Sequence, residues 1–198
     1  MIPFYAVVRR LKHIERWQLM RKNFSENVAE HSLEVAILAH ALCLIRRELL
    51  KLPSPEPELV MQAAIFHDVS ECLTGDLPTP VKYHNPDLQK AYKELEKQAE
   101  ERLLGLLPNS LRSFYEPLFK NVDPEIHRII KLADNLSAYL KAHEEVLAGN
   151  GEFTQAEKKL HEKLQERTCP ELEYFMEHCL EAYDMTLDEL NSESEINF

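Results

Sequence analysis

Glycine is scarce, with 4 residues in 198. Apolar positions recur at three- and four-residue spacings with little alternation, so composition and period both favour helices over strands. The expected fold class is all-α. A chain of this length supports one generous domain with a real core. Paired cysteines are also missing: Cys43, Cys72, Cys169 and Cys179 form no C-x-x-C motif. Three of them sit in helical apolar patterns, which points to reduced buried thiols and away from a disulfide framework or a zinc knuckle. No apolar run is read as approaching the roughly 20 residues that span a bilayer. The start, MIPFYAVVRRLKHIERW, breaks into charge too early for a secretory signal. It resembles a transit peptide only weakly, since it carries Glu15 and no serine. A cytosolic protein is expected.

Basic charge is deficient over most of the chain. The formal charge is −11, but residues 1–22 hold six basic side chains and one acid, leaving 17 basic against 33 acidic residues elsewhere. Such a surface repels polyanions, which argues against tracking long nucleic acid yet allows a small anion in a locally positive pocket.

Breaks in the apolar pattern locate the helices. Residues 3–14 read as a short amphipathic helix with Phe4, Val7, Val8, Leu11 and Ile14 on one side and Arg9, Arg10 and Lys12 on the other. Ser25 or Asn27 can cap the next helix, Glu30 completes a capping box with Asn27, and His31, Val35, Leu38, Leu42, Ile45 and Leu49 form one inward stripe. After the proline-rich turn KLPSPEPE, a third helix is expected over 58–72, with Leu59, Ala63 and Phe66 on its apolar side. The stretch TGDLPTP must leave it, because Gly75, Pro78 and Pro80 break and stiffen the backbone. Further helices are expected from Asn85 or Pro86 to Leu107, from Asn109 to about Lys120, from Asp123-Pro124 to Ala148, and near 152–167 and 170–184. One domain therefore covers 1–184. A Thr186-capped segment and the tail NSESEINF, expected to be disordered, fill 185–198.

Several polar residues fall on apolar faces. Ile126, Ile130, Asp134 and Ser137 follow one another at helical spacing, so Asp134 interrupts a core-facing stripe. A carboxylate buried without a partner costs several kcal/mol. Three inward-facing helices thus each bring an imidazole or carboxylate: His31, the adjacent His67 and Asp68, and Asp134. Taken singly each histidine reads as an ordinary core histidine, and helix geometry separates the neighbours His67 and Asp68 by about 100°, so they share an ion only near a helix end. In combination they suit Mn²⁺, Fe²⁺, Co²⁺ or Zn²⁺ better than Mg²⁺ or Ca²⁺, which prefer oxygen alone. Glu71, four residues after His67, reads as a last-turn glutamate placed for general acid or base work. The alternative is a solvated last-turn glutamate, and because an acid is mildly unfavourable near a helix C-terminus, the catalytic reading stands ahead of it.

The order His31, His67-Asp68, Asp134 on a helical chain resembles the HD-domain metal-dependent phosphohydrolases. The segments E-R-W-x-L-M-R (15–21), E-N-V-A-E-H-S (26–32), H-D-x-S-E-x-L-T-G-D-L-P-T-P-V-K (67–82) and K-L-A-D-N-L-S-A-Y-L-K (131–141) are similar to the bacterial 5′-deoxynucleotidase branch over nearly the whole chain. Asn135, after the aspartate, departs from the family pattern at a position not expected to touch chemistry. The resemblance implies a homodimer that hydrolyses deoxyribonucleoside 5′-monophosphates to deoxynucleoside and phosphate. It implies one divalent cation, Co²⁺, Mn²⁺ or Cu²⁺ as well as the Zn²⁺ or Fe²⁺ that the ligand types allow, on His31, His67, Asp68 and Asp134. Arg16 would orient the phosphate, Glu71 would move a proton, and substrate contacts would come from Arg16, Trp17, His31, Asp68, the loop Asp76-Leu77-Pro78-Thr79 and Asp134. Asp76 is expected to accept from the 3′-hydroxyl while Trp17 and the stiff Pro78-Thr79 turn exclude a 2′-hydroxyl; an apolar wall rejects an added hydroxyl by only about 10² unless it is rigid. No base-reading motif is present.

Two other readings compete. A different HD phosphohydrolase would cut nucleoside triphosphates, (p)ppGpp-like esters or cyclic nucleotides, but would need more ligands or more basic contacts than this sequence offers. A non-catalytic metal- or nucleotide-binding module would have no use for Arg16 and Glu71.

Overall fold

In the computed structural model, residues 1–82, 84–120, 123–166 and 169–193 are described. Among them there is no strand, only an isolated antiparallel bridge between Glu15 and Asn27. The helices are α1 (Phe4–Val8, continued as a 3-10 turn to His13), α2 (Val28–Leu44), α3 (Pro57–Ile65), α4 (Glu71–Thr74), α5 (Thr79–Lys82), α6 (Pro86–Leu104), α7 (Asn109–Phe119), α8 (Pro124–Leu147), α9 (Thr154–Gln165), α10 (Pro170–His178) and α11 (Leu187–Glu193). The all-α expectation holds.

Helix starts follow the sequence signals. Asn27 and Glu30 close a full capping box on α2, Asn85 caps α6, and Asp123 accepts from Glu125 and Ile126 at the start of α8. Each such cap is worth about 1 kcal/mol. Two expectations fail. The stripe on α2 buries His31, Val35, Leu38, Leu42 and Ile45, but Leu49 is 56% exposed. Residues Ile45–Leu49 form a π turn, whose extra residue rotates Leu49 off the buried face. The proposed helix over 58–72 is two helices with a turn over 66–70 between them, and Leu59 on its expected apolar side is 51% exposed. The break has a packing cause. Ala63 and Ala64 join a core shared by α2, α3, α8, α9 and α10, whereas Phe66 and Val69 join a second cluster with α1, α6 and α7. Phe66 meets Tyr115 and Phe119 with ring centroids 5.7 Å apart. One straight helix cannot serve both clusters.

All four cysteines are free thiols. Contrary to the sequence reading, the 22-residue helical span Val28–Leu49 contains an 18-residue stretch of mean hydropathy 1.6, long and apolar enough to cross a membrane; here 56% of that stretch is buried, as the central core helix. Of the tail expected to be disordered, 191–193 belong to α11, and 194–198 lie outside the described residues.

Candidate metal-dependent active site

The site lies along the seam between the two apolar clusters. His31 sits between Val28 of the second cluster and Val35 of the first, and His67-Asp68 sits between Ala64 and Val69. The turn that splits α3 from α4 carries His67 and Asp68, so the neighbours escape the helical separation that would hold them apart. His31, His67 and Asp134 each offer one ligand atom, all within 4.8 Å of one another. Asp68 Oδ2 stands 3.0 Å from His67 Nε2 and 3.8 Å from His31 Nε2, and Asp134 Oδ1 stands 3.2 Å from His31 Nε2.

These contacts show that the residues fit a cation. His67 Nδ1 lies 2.8 Å from the Ala64 carbonyl, which can only accept, so the neutral ring carries its proton there and leaves Nε2 a bare lone pair. Among the described residues, Nε2 of both His31 and His67 is buried without a hydrogen-bond partner. A lone pair facing carboxylate oxygens is repulsive unless a proton or metal ion lies between them. Electrostatics point the same way. Burial would lower the His67 pKa, but Asp68 and Asp134 outweigh it and raise it. Burial lowers the His31 pKa, helped by the charges of Arg16 and His67. Against their own burial, Asp68 is held below the usual carboxylate range by His67, and Asp134 by His31 and Lys131. Lys131 Nζ pairs with Asp134 Oδ2 at 3.1 Å. Two imidazoles and two carboxylates are the donor set of a transition-metal site.

The anion side is built by the loop from the 3-10 turn after α1 to the start of α2. Around the Glu15–Asn27 bridge, Arg16 N donates to Glu26 O at 2.9 Å and Val28 N donates to Ile14 O at 2.9 Å. Glu26 Oε2 then accepts from Arg16 Nε at 3.1 Å and from Trp17 Nε1 at 2.8 Å. That leaves Arg16 Nη1 directed at Asp68 Oδ2, 3.8 Å away. Trp17 has φ +56° and its ring packs on Phe153 at 5.3 Å. A left-handed non-glycine residue costs about 1–2 kcal/mol, which this bonding offsets. Glu26 was not singled out from the sequence. Its partners lie nine and ten residues back across a loop, where no periodicity reports them.

Glu71 is buried, its Oε2 has no partner among the described residues, and its pKa is pushed up to about 10 by burial and by Asp68 and Asp76. It opens α4 and does not end a longer helix as expected, so the argument from a helix C-terminus does not apply. Gly75 follows with φ +76°, and its carbonyl accepts from Tyr92 Oη at 2.9 Å. The loop then turns back: Gln18 Nε2 reaches the Asp76 carbonyl at 3.4 Å. Asp76 is half-buried, and burial raises its pKa against the opposing charge of Arg16. Leu77 and Pro78 are half-buried and Thr79 is exposed. Among the described residues these three make no side-chain hydrogen bond to the His-Asp cluster. Asn135 donates to the Lys131 carbonyl and stays out of the cluster.

Comparison with known proteins agrees with this geometry. Residues 3–183 match the family model described as 5′-deoxynucleotidase YfbR-like. A 5′-deoxynucleotidase of Vibrio cholerae is 46% identical over 190 residues, covering 95% of this chain and 97% of that protein. One from Erwinia tasmaniensis is 46% identical over 196 residues, covering 96% and 97%. Among solved structures, an HD-domain phosphohydrolase from Listeria innocua superposes with a TM-score of 0.78 at 22% identity, covering 96% of this chain and 95% of that one. The cyanophage S-2L HD phosphohydrolase, bound to dA and one catalytic Zn²⁺ ion, gives 0.64 at 21% identity over 89% and 96%. The chain belongs to the YfbR-like 5′-deoxynucleotidases and has the HD-domain phosphohydrolase fold.

Proposed function

We propose that the chain hydrolyses deoxyribonucleoside 5′-monophosphates in the cytoplasm as a homodimer, with residues 1–184 forming the working domain. The observation that carries the reading is the convergence of two bare Nε2 atoms, two carboxylates and the Arg16 fork beside a buried Glu71 whose Oε2 has no partner among the described residues. A divalent transition metal on His31, His67, Asp68 and Asp134, with Co²⁺ or Mn²⁺ the ions to try first, would supply Lewis acidity toward the phosphoryl group and toward water. Arg16 takes the phosphate through its free Nη edge, since Glu26 already occupies Nε. Glu71 holds a proton at neutral pH and donates it to the leaving 5′-oxygen. Asp76 accepts from the 3′-hydroxyl. Trp17, fixed by Glu26 and Phe153, forms a wall with Pro78 and Thr79 against a 2′-hydroxyl. That fixing supplies the rigidity an apolar wall needs. Leu33 and Ile37, one turn apart on α2 and 60% and 59% exposed, support a second copy as partner.

Phosphate release from dAMP, AMP and dATP, each with EDTA and with added Co²⁺ or Mn²⁺, tests reaction, sugar choice and metal together. Turnover of dAMP alone, lost in EDTA, is expected; release of pyrophosphate or tripolyphosphate from dATP would instead mark an enzyme that cuts nucleoside triphosphates. Trp17→Ala should bring the dAMP-to-AMP rate ratio down by about 10², and an unchanged ratio would sink the account of selectivity.

A further inference from the structure

We propose that Ser137 and Glu34 form a positioning relay that fixes the His31 imidazole as its Nδ1–H tautomer and so presents Nε2 to the metal position. The inference rests on the metal reading above. Ser137 Oγ donates to Glu34 Oε2 and lies 3.0 Å from His31 Nδ1. With Ser137 as the donor to Glu34 Oε2, the serine spends its one proton there and turns a lone pair to the ring. The proton between ring and serine must then be on Nδ1. Nε2 is left bare, and it is the buried nitrogen that has no partner and faces Asp134 at 3.2 Å.

The need for such a device differs between the two histidines. His67 lies in a turn and finds the carbonyl of Ala64. His31 is in the body of α2, where the nearby carbonyls serve the helix, so a side chain must set its tautomer. Helix spacing supplies it. Glu34 stands three residues after His31 on α2, and Ser137 three after Asp134 on α8, so each ligand has a relay member one turn along. Ser137 is wholly buried, while Glu34 lines a cavity of about 450 Å³ with Glu26, Glu30 and Glu144, which gives its outer oxygen access to solvent. Glu26, His31 and Glu34 also offer one ligand atom each within 4.8 Å of one another, a grouping that could suit a second cation. With Nδ1 protonated, that second position has no nitrogen ligand. Hydrogen-bonded partners behind a ligating histidine commonly set metal affinity by about 10–100-fold.

The test is Co²⁺ affinity of the full chain, measured by competition with a chromophoric chelator, together with the ring ¹⁵N shifts of the apo protein. Wild type should bind one Co²⁺ per chain and show His31 as the Nδ1–H form. Ser137→Ala should weaken Co²⁺ binding by about 10–100-fold and give mixed tautomers. Glu34→Ala should weaken it less, and Glu34→Gln, whose amide oxygen still accepts, should stay near wild type. Glu34 is partly solvent-accessible, so its variants read out even if Ser137→Ala folds poorly. Unchanged affinity in Ser137→Ala and Glu34→Ala overturns the relay, as does an Nε2–H form of His31 in wild type. A second Co²⁺ lost in Glu34→Ala overturns it too. Asp134→Ala separates the two levels: if that variant binds Co²⁺ like wild type, the metal reading itself fails.

Discussion

Two regions of α8 and its neighbours bury carboxylates, and they do so in opposite ways. Glu145 and Glu171 are both 0% exposed. Glu145 accepts from Asn23 N, Phe24 N, Lys141 Nζ and Asn150 Nδ2 at 2.7–3.0 Å. Glu171 accepts from Arg46 at 2.9 Å and Arg128 at 2.7 Å. Both are pulled down to about 2 despite burial. Glu71 is buried almost as deeply, yet one oxygen is bare and its pKa is about 10. Saturated partners mark a carboxylate that holds helices together. Missing partners mark one that is waiting for a ligand. A buried unsatisfied group costs about 1–3 kcal/mol, which a purely structural site would have no reason to bear.

Breaking each region should therefore fail differently. Glu71→Gln keeps the shape of a protonated acid, so kcat should fall by about 10²–10⁴-fold while the melting temperature stays put. The loss should be smaller with an aryl phosphate, whose leaving group needs no proton; an equal loss on both substrates would remove Glu71 from that role. Glu171→Gln should do the reverse. It removes the buried charge that Arg128 and Arg46 share, while Arg128 keeps Glu125 and Arg46 keeps the Pro53 carbonyl, so up to about 3 kcal/mol of stability is lost in denaturant titration with kcat unchanged for the folded fraction. Metal should stabilise the fold through the cluster beside Glu71 alone. Thermal scans with Co²⁺ at a hundred times its dissociation constant should gain about 2.7 kcal/mol, and His67→Ala should abolish the gain.

The pH dependence sharpens the contrast least but cleanly. Glu145 and Glu171 sit at about 2 in the fold against an ordinary 4.5, so the unfolded chain takes up their protons first. Their stabilisation is complete above about 4.5 and drains as pH falls toward 2. Urea midpoints measured across that window should decline, and less steeply in Glu171→Gln; parallel curves would show that this carboxyl carries none of the effect.

Much of this was legible in the sequence because it depends on local chemistry. Asn27 and Glu30, Asp123, and Gly75 act through bonds or angles within a few residues. The inward placement of His31 and the interruption of a core stripe by Asp134 follow from helical period alone. What was not legible depends on three-dimensional packing. The turn at 66–70 has no glycine or proline to announce it, and arises because Phe66 and Ala63 belong to different clusters. The π turn that exposes Leu49 keeps an ordinary helical sequence. Ser137 was visible on the Asp134 stripe, but only its distance to His31, 106 residues away, gives it a task.

The shared grip of Glu26 on Arg16 and Trp17 also bears on how this enzyme can change over generations. One carboxylate oxygen holds both side chains, so drift at Trp17 that loosens Glu26 would also let Arg16 swing, and altered sugar choice would bring weaker phosphate handling with it. The opposite wall is held more loosely, with Gln18 Nε2 reaching the Asp76 carbonyl at 3.4 Å. Asp76 to Thr79 follow a glycine in the left-handed region and end in an exposed four-residue helix. New sugar preferences should therefore arise on that loop before they arise at the tryptophan.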